Sequence, residues 1–237
     1  MSEIADNIQR IHQRIDAAAQ RAGRRPDDVA LIAVTKTVEP ERVEQVLAEG
    51  LTMLGESKVQ EAKAKIQVVS SRARWHLIGH LQSNKAREAV TLFELIHSVD
   101  SLKLAVELNK WAEHAGKTQA ILLEVNVSGE ASKFGFKADA VEDALKQINL
   151  LPRLETQGLM TIAPYTKDVR EARPFFRRLR ELRDGLGLRD LSMGMTHDFE
   201  IAIEEGATMV RIGTAIFGER RVKRAERMES GEDDAAE

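Results

Sequence analysis

The sequence has no cysteine. That absence excludes a disulfide scaffold, a thiol nucleophile and any thiolate metal site, and it agrees with a cytoplasmic protein. Nowhere do 18 or more apolar residues run together, so no membrane span is expected. The first 23 residues hold no apolar core that could serve as a signal peptide. Basic charge is not in excess: the formal net charge is −3, and no overall positive field points to nucleic acid. Basic residues gather only locally, at Arg173–Arg183 and Arg220–Arg227. The first group shares its segment with Glu181 and Asp184 and reads as a solvated helix face.

What is present is an alternation. Apolar Ile4, Ile8, Ile11 and Ile15 recur at helical spacing and are stopped by Gly23 and Arg24-Arg25-Pro26-Asp27. Residues 29–34, Val-Ala-Leu-Ile-Ala-Val, then form a short continuous apolar run, the pattern of a strand buried on both faces. Further strand candidates lie at 51–54, 75–80, 94–99, 120–127, 154–162, 190–194 and 208–212, with helical patterns between them at 39–49, 57–70, 83–91, 101–115, 138–149, 168–186 and 197–204, and a last helix near 214–219. Eight strand–helix units in 237 residues fit an α/β protein with a single (β/α)8 barrel of the TIM type and an extra N-terminal helix. An open doubly wound sheet is the alternative, but no Gly-x-Gly-x-x-Gly follows the first strand. The barrel is expected to occupy residues 1–225, and the acidic stretch 226–237 reads as a disordered tail.

In such a barrel, function collects where strands end. Lys36 follows directly on the apolar run 29–34. Desolvation there would lower its pKa and free the amine to form a Schiff base with a carbonyl compound; a lysine snorkelling to solvent fits the same position. At the end of 208–212, Gly213-Thr214-Ala215 is a turn that opens a helix, suited to a phosphate group or simply to a tight turn with a cap. Ser192 and Thr196 add hydroxyls from the neighbouring strand end. Arg211, two residues before Gly213, should face the same side, toward a structural carboxylate or an acceptor on a ligand. His76 and His80 should share a face of their strand, without the company a zinc site needs, and His197-Asp198 reads as a helix start.

These stretches also carry a resemblance. Ala33-Val34-Thr35-Lys36-Thr37, Gly55-Glu56-Ser57, the run Trp75 to Lys85, Gly158-Leu159-Met160, Ser192-Met193-Gly194-Met195-Thr196 and Val210 to Gly218 occur in order. Together they resemble the pyridoxal phosphate homeostasis protein family, also called the proline synthetase co-transcribed family, over about residues 4–220. The resemblance implies a barrel of the alanine racemase type and pyridoxal 5′-phosphate (PLP) as a Schiff base on Lys36. It further implies Arg211 at the pyridine nitrogen and Thr196, Gly213 and Thr214 around the phosphate, with Ser192 as an addition. A cation at the ring nitrogen keeps it unprotonated and makes the ring a poorer electron sink. The task implied is to hold PLP and pass it on, with PLP-dependent apo-enzymes as partners, in PLP (vitamin B6) and amino-acid homeostasis, and as a monomer. A PLP-dependent amino-acid racemase is the alternative. No further domain is expected after the barrel to bring a second base, and the single tyrosine is Tyr165. Two positions depart from the family pattern: Ser57 replaces the usual asparagine after Gly-Glu, and Thr196 the usual serine.

Overall fold

In the computed structural model the chain is described over residues 2–130 and 132–218; the expected acidic tail and the Arg220–Arg227 cluster lie outside the described residues. The strands, in chain order, are β1 (Ala30–Val34), β2 (Met53–Glu56), β3 (Arg74–Leu77), β4 (Leu95–Val99), β5 (Gln119–Asn126), β6 (Phe136–Lys137), β7 (Leu154–Met160), β8 (Asp190–Ser192) and β9 (Met209–Ile212). All but β6 form one parallel ring, β1-β2-β3-β4-β5-β7-β8-β9, closed by the pairing of β9 with β1. Closure decides the fold: this is the (β/α)8 barrel, and the open sheet is excluded. The two-residue β6 pairs only with the end of β5 and has no pattern that alternation could reveal.

The helices are α1 (Glu3–Arg21), α2 (Pro40–Ala48), α3 (Val59–Ile66), α4 (Ala86–Leu92), α5 (Leu102–His114), α6 (Val141–Ile148), α7 (Arg173–Gly185), α8 (Phe199–Glu204) and α9 (Thr214–Phe217). The Ser2 hydroxyl caps α1 by accepting from the Ala5 N–H at 3.2 Å. One face of α1 buries Ile4, Ile8, Ile11 and Ile15, and each such side chain contributes roughly 1.5–3 kcal/mol of apolar burial. That face reaches the end of the barrel sequence. Asn7 donates to the Ile216 carbonyl at 2.9 Å, and Arg42 of α2 donates to the Phe217 carbonyl at 2.8 Å. The single turn α9 is thus held from outside by both helices. The basic segment of α7 is a contact with α8 rather than a merely solvated face. Arg173, Arg177 and Arg180 converge on the buried Glu205 at 3.0, 3.1 and 3.0 Å.

Strand alternation sorts the core into two regions. Leu31 and Ala33, Leu123 and Val125, and Val210 and Ile212 point out to the helices in the main apolar cluster. Inside the ring, Leu95, Leu122 and Met160 form a small apolar plug. Around and beyond it the lumen becomes polar, with His76, His97, Glu124, Ser192 and Arg211 all buried.

Candidate functional site

The β1 strand ends at Val34, and Lys36 lies half-buried two residues beyond it, between a fully buried Thr35 and an exposed Thr37. Thr37 has φ +61°, a left-handed backbone that β-branched residues rarely adopt. Its hydroxyl donates to the Lys36 carbonyl at 2.6 Å. A Cβ built on Gly213 would stand 3.2 Å from the Val34 carbonyl oxygen and 3.3 Å from its Cβ, so glycine lets the exit of β9 lie against the exit of β1. Lys36 and the Gly213-Thr214 turn are neighbours for that reason.

The exit of β8 joins them. The Arg211 N–H donates to the Gly194 carbonyl at 3.0 Å. Gly194 has φ +91°, and a Cβ there would come within 2.6 Å of the Ala202 Cβ of α8, so the loop carrying Thr196 is packed onto that helix. Thr196 is half-buried and Thr214 exposed. Asp198, expected at a helix start, does precede α8, and its carboxylate accepts from the Met195 N–H at 2.7 Å. Burial raises its pKa above the usual carboxylate value.

Beneath these turns lies Arg211, 4 % exposed. Its Nη1 donates to the Ser192 hydroxyl at 2.6 Å and its Nη2 to the Thr161 carbonyl at 2.9 Å. Among the described residues it makes no ion pair; Asp198 and Glu124 act on it only at longer range. Desolvation lowers its pKa to about 10, which still leaves it cationic at neutral pH. A guanidinium has five N–H donors in a fixed plane, so this buried cation is held in direction by neutral oxygens and keeps donors for another acceptor.

Ser192 passes the contact inward. Its hydroxyl is 2.8 Å from His97 Nδ1, and His97 Nε2 is 3.1 Å from His76 Nδ1. One ordering of hydrogens uses the whole chain: Arg211 donates to Ser192, Ser192 to His97, and His97 to His76. It requires neutral rings, and burial favours them, pushing the His97 pKa well below its usual value and that of His76 to about 4. Histidine Cε1–H shifts followed by NMR should therefore show His76 titrating near pH 4; a midpoint close to 6.5 would mean that the ring is not desolvated. Ser192 thus enters the site through Arg211, inside the barrel, rather than among the phosphate-type turns where it was expected.

Other expectations change with the register. The β3 strand ends at Leu77, so only His76 faces the lumen. His80, expected on the same face, lies past the strand, 3.1 Å from Asp100 and stacked on Phe134. The chain leaves the strand where Gly79 passes Ser57 too closely for a Cβ to fit. Tyr165 is 84 % exposed and stacks on His197. No group of side chains suited to a metal ion occurs among the described residues. Sequence reasoning missed Glu124. It is buried at the end of β5, and desolvation, with Asp100 adding to it, raises its pKa to about 7. Its signal was an acidic residue inside an apolar strand, two positions beyond the lumen-facing Leu122.

Residues 6–221 match the family model described as alanine racemase, N-terminal domain. The pyridoxal phosphate homeostasis protein of Aquifex aeolicus is 43 % identical over 223 residues, 91 % of this chain and 98 % of that protein. The chain belongs to the pyridoxal phosphate homeostasis protein family. A solved structure of PipY from Synechococcus elongatus with PLP bound is 34 % identical with a TM-score of 0.77, covering 91 % of this chain and all of that one. An alanine racemase of Clostridium difficile, 14 % identical with a TM-score of 0.67, matches 91 % of this chain but 57 % of its own length, and shares the fold alone. For a member of the homeostasis protein family, the ring of strand ends just described is where a cofactor would be sought.

Proposed function

We propose that the protein holds PLP at the C-terminal mouth of the barrel as a Schiff base on Lys36, and that it serves PLP and amino-acid homeostasis. The observation that carries the reading is Arg211, a buried cation whose side-chain hydrogen bonds among the described residues go to neutral oxygens and which is placed below the turns that surround Lys36. Burying such a group without a partner is unfavourable, and a ring nitrogen with a free lone pair is an acceptor that would complete its bonding. The remaining residues fit the group. The glycine at 213 admits a close approach of the backbone, and Thr196 and Thr214 offer hydroxyls to a phosphate from adjacent strand exits. PLP when bound supplies an electrophilic carbonyl and an electron-withdrawing ring. The chain's residues would bind and orient it: Lys36 by a covalent link, Arg211 by an N–H to the ring nitrogen, and Ser192 by fixing Arg211. An arginine there leaves the ring nitrogen unprotonated, which suits holding the cofactor better than carbanion chemistry. The reading extends to a monomer in the cytoplasm with PLP-dependent apo-enzymes as acceptors.

The protein is mixed with PLP, reduced with borohydride, digested and weighed peptide by peptide. The expected result is a pyridoxyl mass on Lys36, with loss of both that mass and the near-visible absorbance in Lys36→Ala. Stable labelling elsewhere, or none at Lys36, overturns the proposal.

A further inference from the structure

A buried ionic cluster lies behind Lys36 and is not among the groups assigned to PLP. Lys65 of α3 is 6 % exposed, and its ammonium makes three contacts. It donates to Glu56 at 2.7 Å, to Glu61 at 2.7 Å and to the Thr35 carbonyl. The same Glu56 oxygen accepts from the Thr35 hydroxyl at 2.6 Å, and the same Glu61 oxygen accepts from the Thr37 N–H. The residues on both sides of Lys36 are therefore tied to one cluster, through a carbonyl and a hydroxyl before it and an amide after it.

We propose that Lys65 and Glu61, with Glu56, are positioning residues that set the direction in which Lys36 leaves the barrel wall. The inference rests on the reading of Lys36 as the PLP lysine. Thr37 sits at φ +61°, where a β-branched residue is strained. Its N–H is held there by Glu61, which is itself held by Lys65. Releasing Glu61 removes what opposes relaxation to negative φ, and that rotation would swing the Lys36–Thr37 peptide and the lysine with it. A buried ammonium is a poor stabiliser compared with an apolar side chain of the same size. Its value here is in geometry: one charge reaches both neighbours of Lys36 at once. Glu56 Oε2, buried with no hydrogen-bond partner among the described residues, shows that the cluster is not arranged to satisfy every atom.

The test uses the full chain, PLP as the probe, and the variants Lys65→Met, Glu61→Ala and Glu61→Gln. Lys65→Met and Glu61→Ala are expected to slow borohydride-trappable labelling of Lys36 by about tenfold or more, since small misplacements of a reacting group carry penalties of that order. They should also move the pH midpoint of the Schiff-base absorbance, which a loss of stability alone would not do. Glu61→Gln keeps an oxygen for the Thr37 N–H and should stay within about threefold of the parent rate. Val46→Ala, a core change at a fully buried site of α2, sets the effect of lost stability alone. Wild-type labelling rates and midpoints in both Lys65→Met and Glu61→Ala overturn the proposal, as does a loss no larger than that of Val46→Ala. Absence of labelling in the parent would instead defeat the reading of Lys36. Amide exchange of Thr37 in the ligand-free protein would still decide the clamp, with protection expected in the parent and lost in Glu61→Ala.

Discussion

Glutamine in place of Glu124 is expected to stabilise the ligand-free protein by about 3 kcal/mol more at pH 8 than at pH 4. The carboxyl is buried at the end of β5, its proton held to about pH 7 first by desolvation and then by Asp100, with Arg211 only partly opposing. Below the unfolded value of 4.5 it is protonated in both states and has no effect on stability. As pH rises from 4.5 to about 7 the unfolded chain gives up this proton while the folded protein keeps it, so stability falls across that window and levels off above it. Glutamine removes that loss while keeping the shape. Urea unfolding of the two proteins at both pH values measures a difference of differences. In it the common titrations of His76, His97, Glu56 and Asp198 cancel to the extent that they are independent of residue 124. An unchanged difference across this range would show that Glu124 is solvated.

Arg211→Met should separate stability from binding. Lowering an arginine from 12.5 to about 10 corresponds to about 3 kcal/mol of unfavourable charge burial. Methionine has comparable reach and no charge, but it forfeits two hydrogen bonds from a charged group, worth about 1.5–3 kcal/mol each. The ligand-free variant is therefore expected to melt at the parent temperature or slightly below it. Its affinity for PLP should fall by about tenfold or more, the scale of one hydrogen bond to a charged group. Differential scanning calorimetry and equilibrium dialysis give the two values. A drop in melting temperature with unchanged PLP affinity would make Arg211 a structural residue.

The barrel was legible because most of its strands carry a short apolar run ending at a turn, as in 29–34, and because runs and helical patterns alternate. The placement of Lys36, Arg211 and Gly213 at strand ends was legible for a related reason: position at a strand end can be read along one dimension. The polar lumen was not. His97 meets Ser192 and His76 only through the order and stagger of strands that are distant in sequence. Lys65 lies in the helical pattern 57–70, where its spacing does not mark it, yet it is buried against β1 and β2. His80 was misplaced by counting alternation past Leu77, where the strand had ended. Periodicity shows which residues face inward and says little about which of them touch.

The pairing of β1 with β9 also imposes an order in time. Lys36 is made long before Arg211 and Gly213, which lie where the ring of strands closes. A growing chain on the ribosome has the lysine but neither the cation nor the turn beside it. Joining the two strands closes a loop spanning most of the protein, a late and entropically unfavourable step. On the proposed reading, a nascent or truncated chain lacks part of the pocket, and the closed barrel is the first species able to compete for the vitamer.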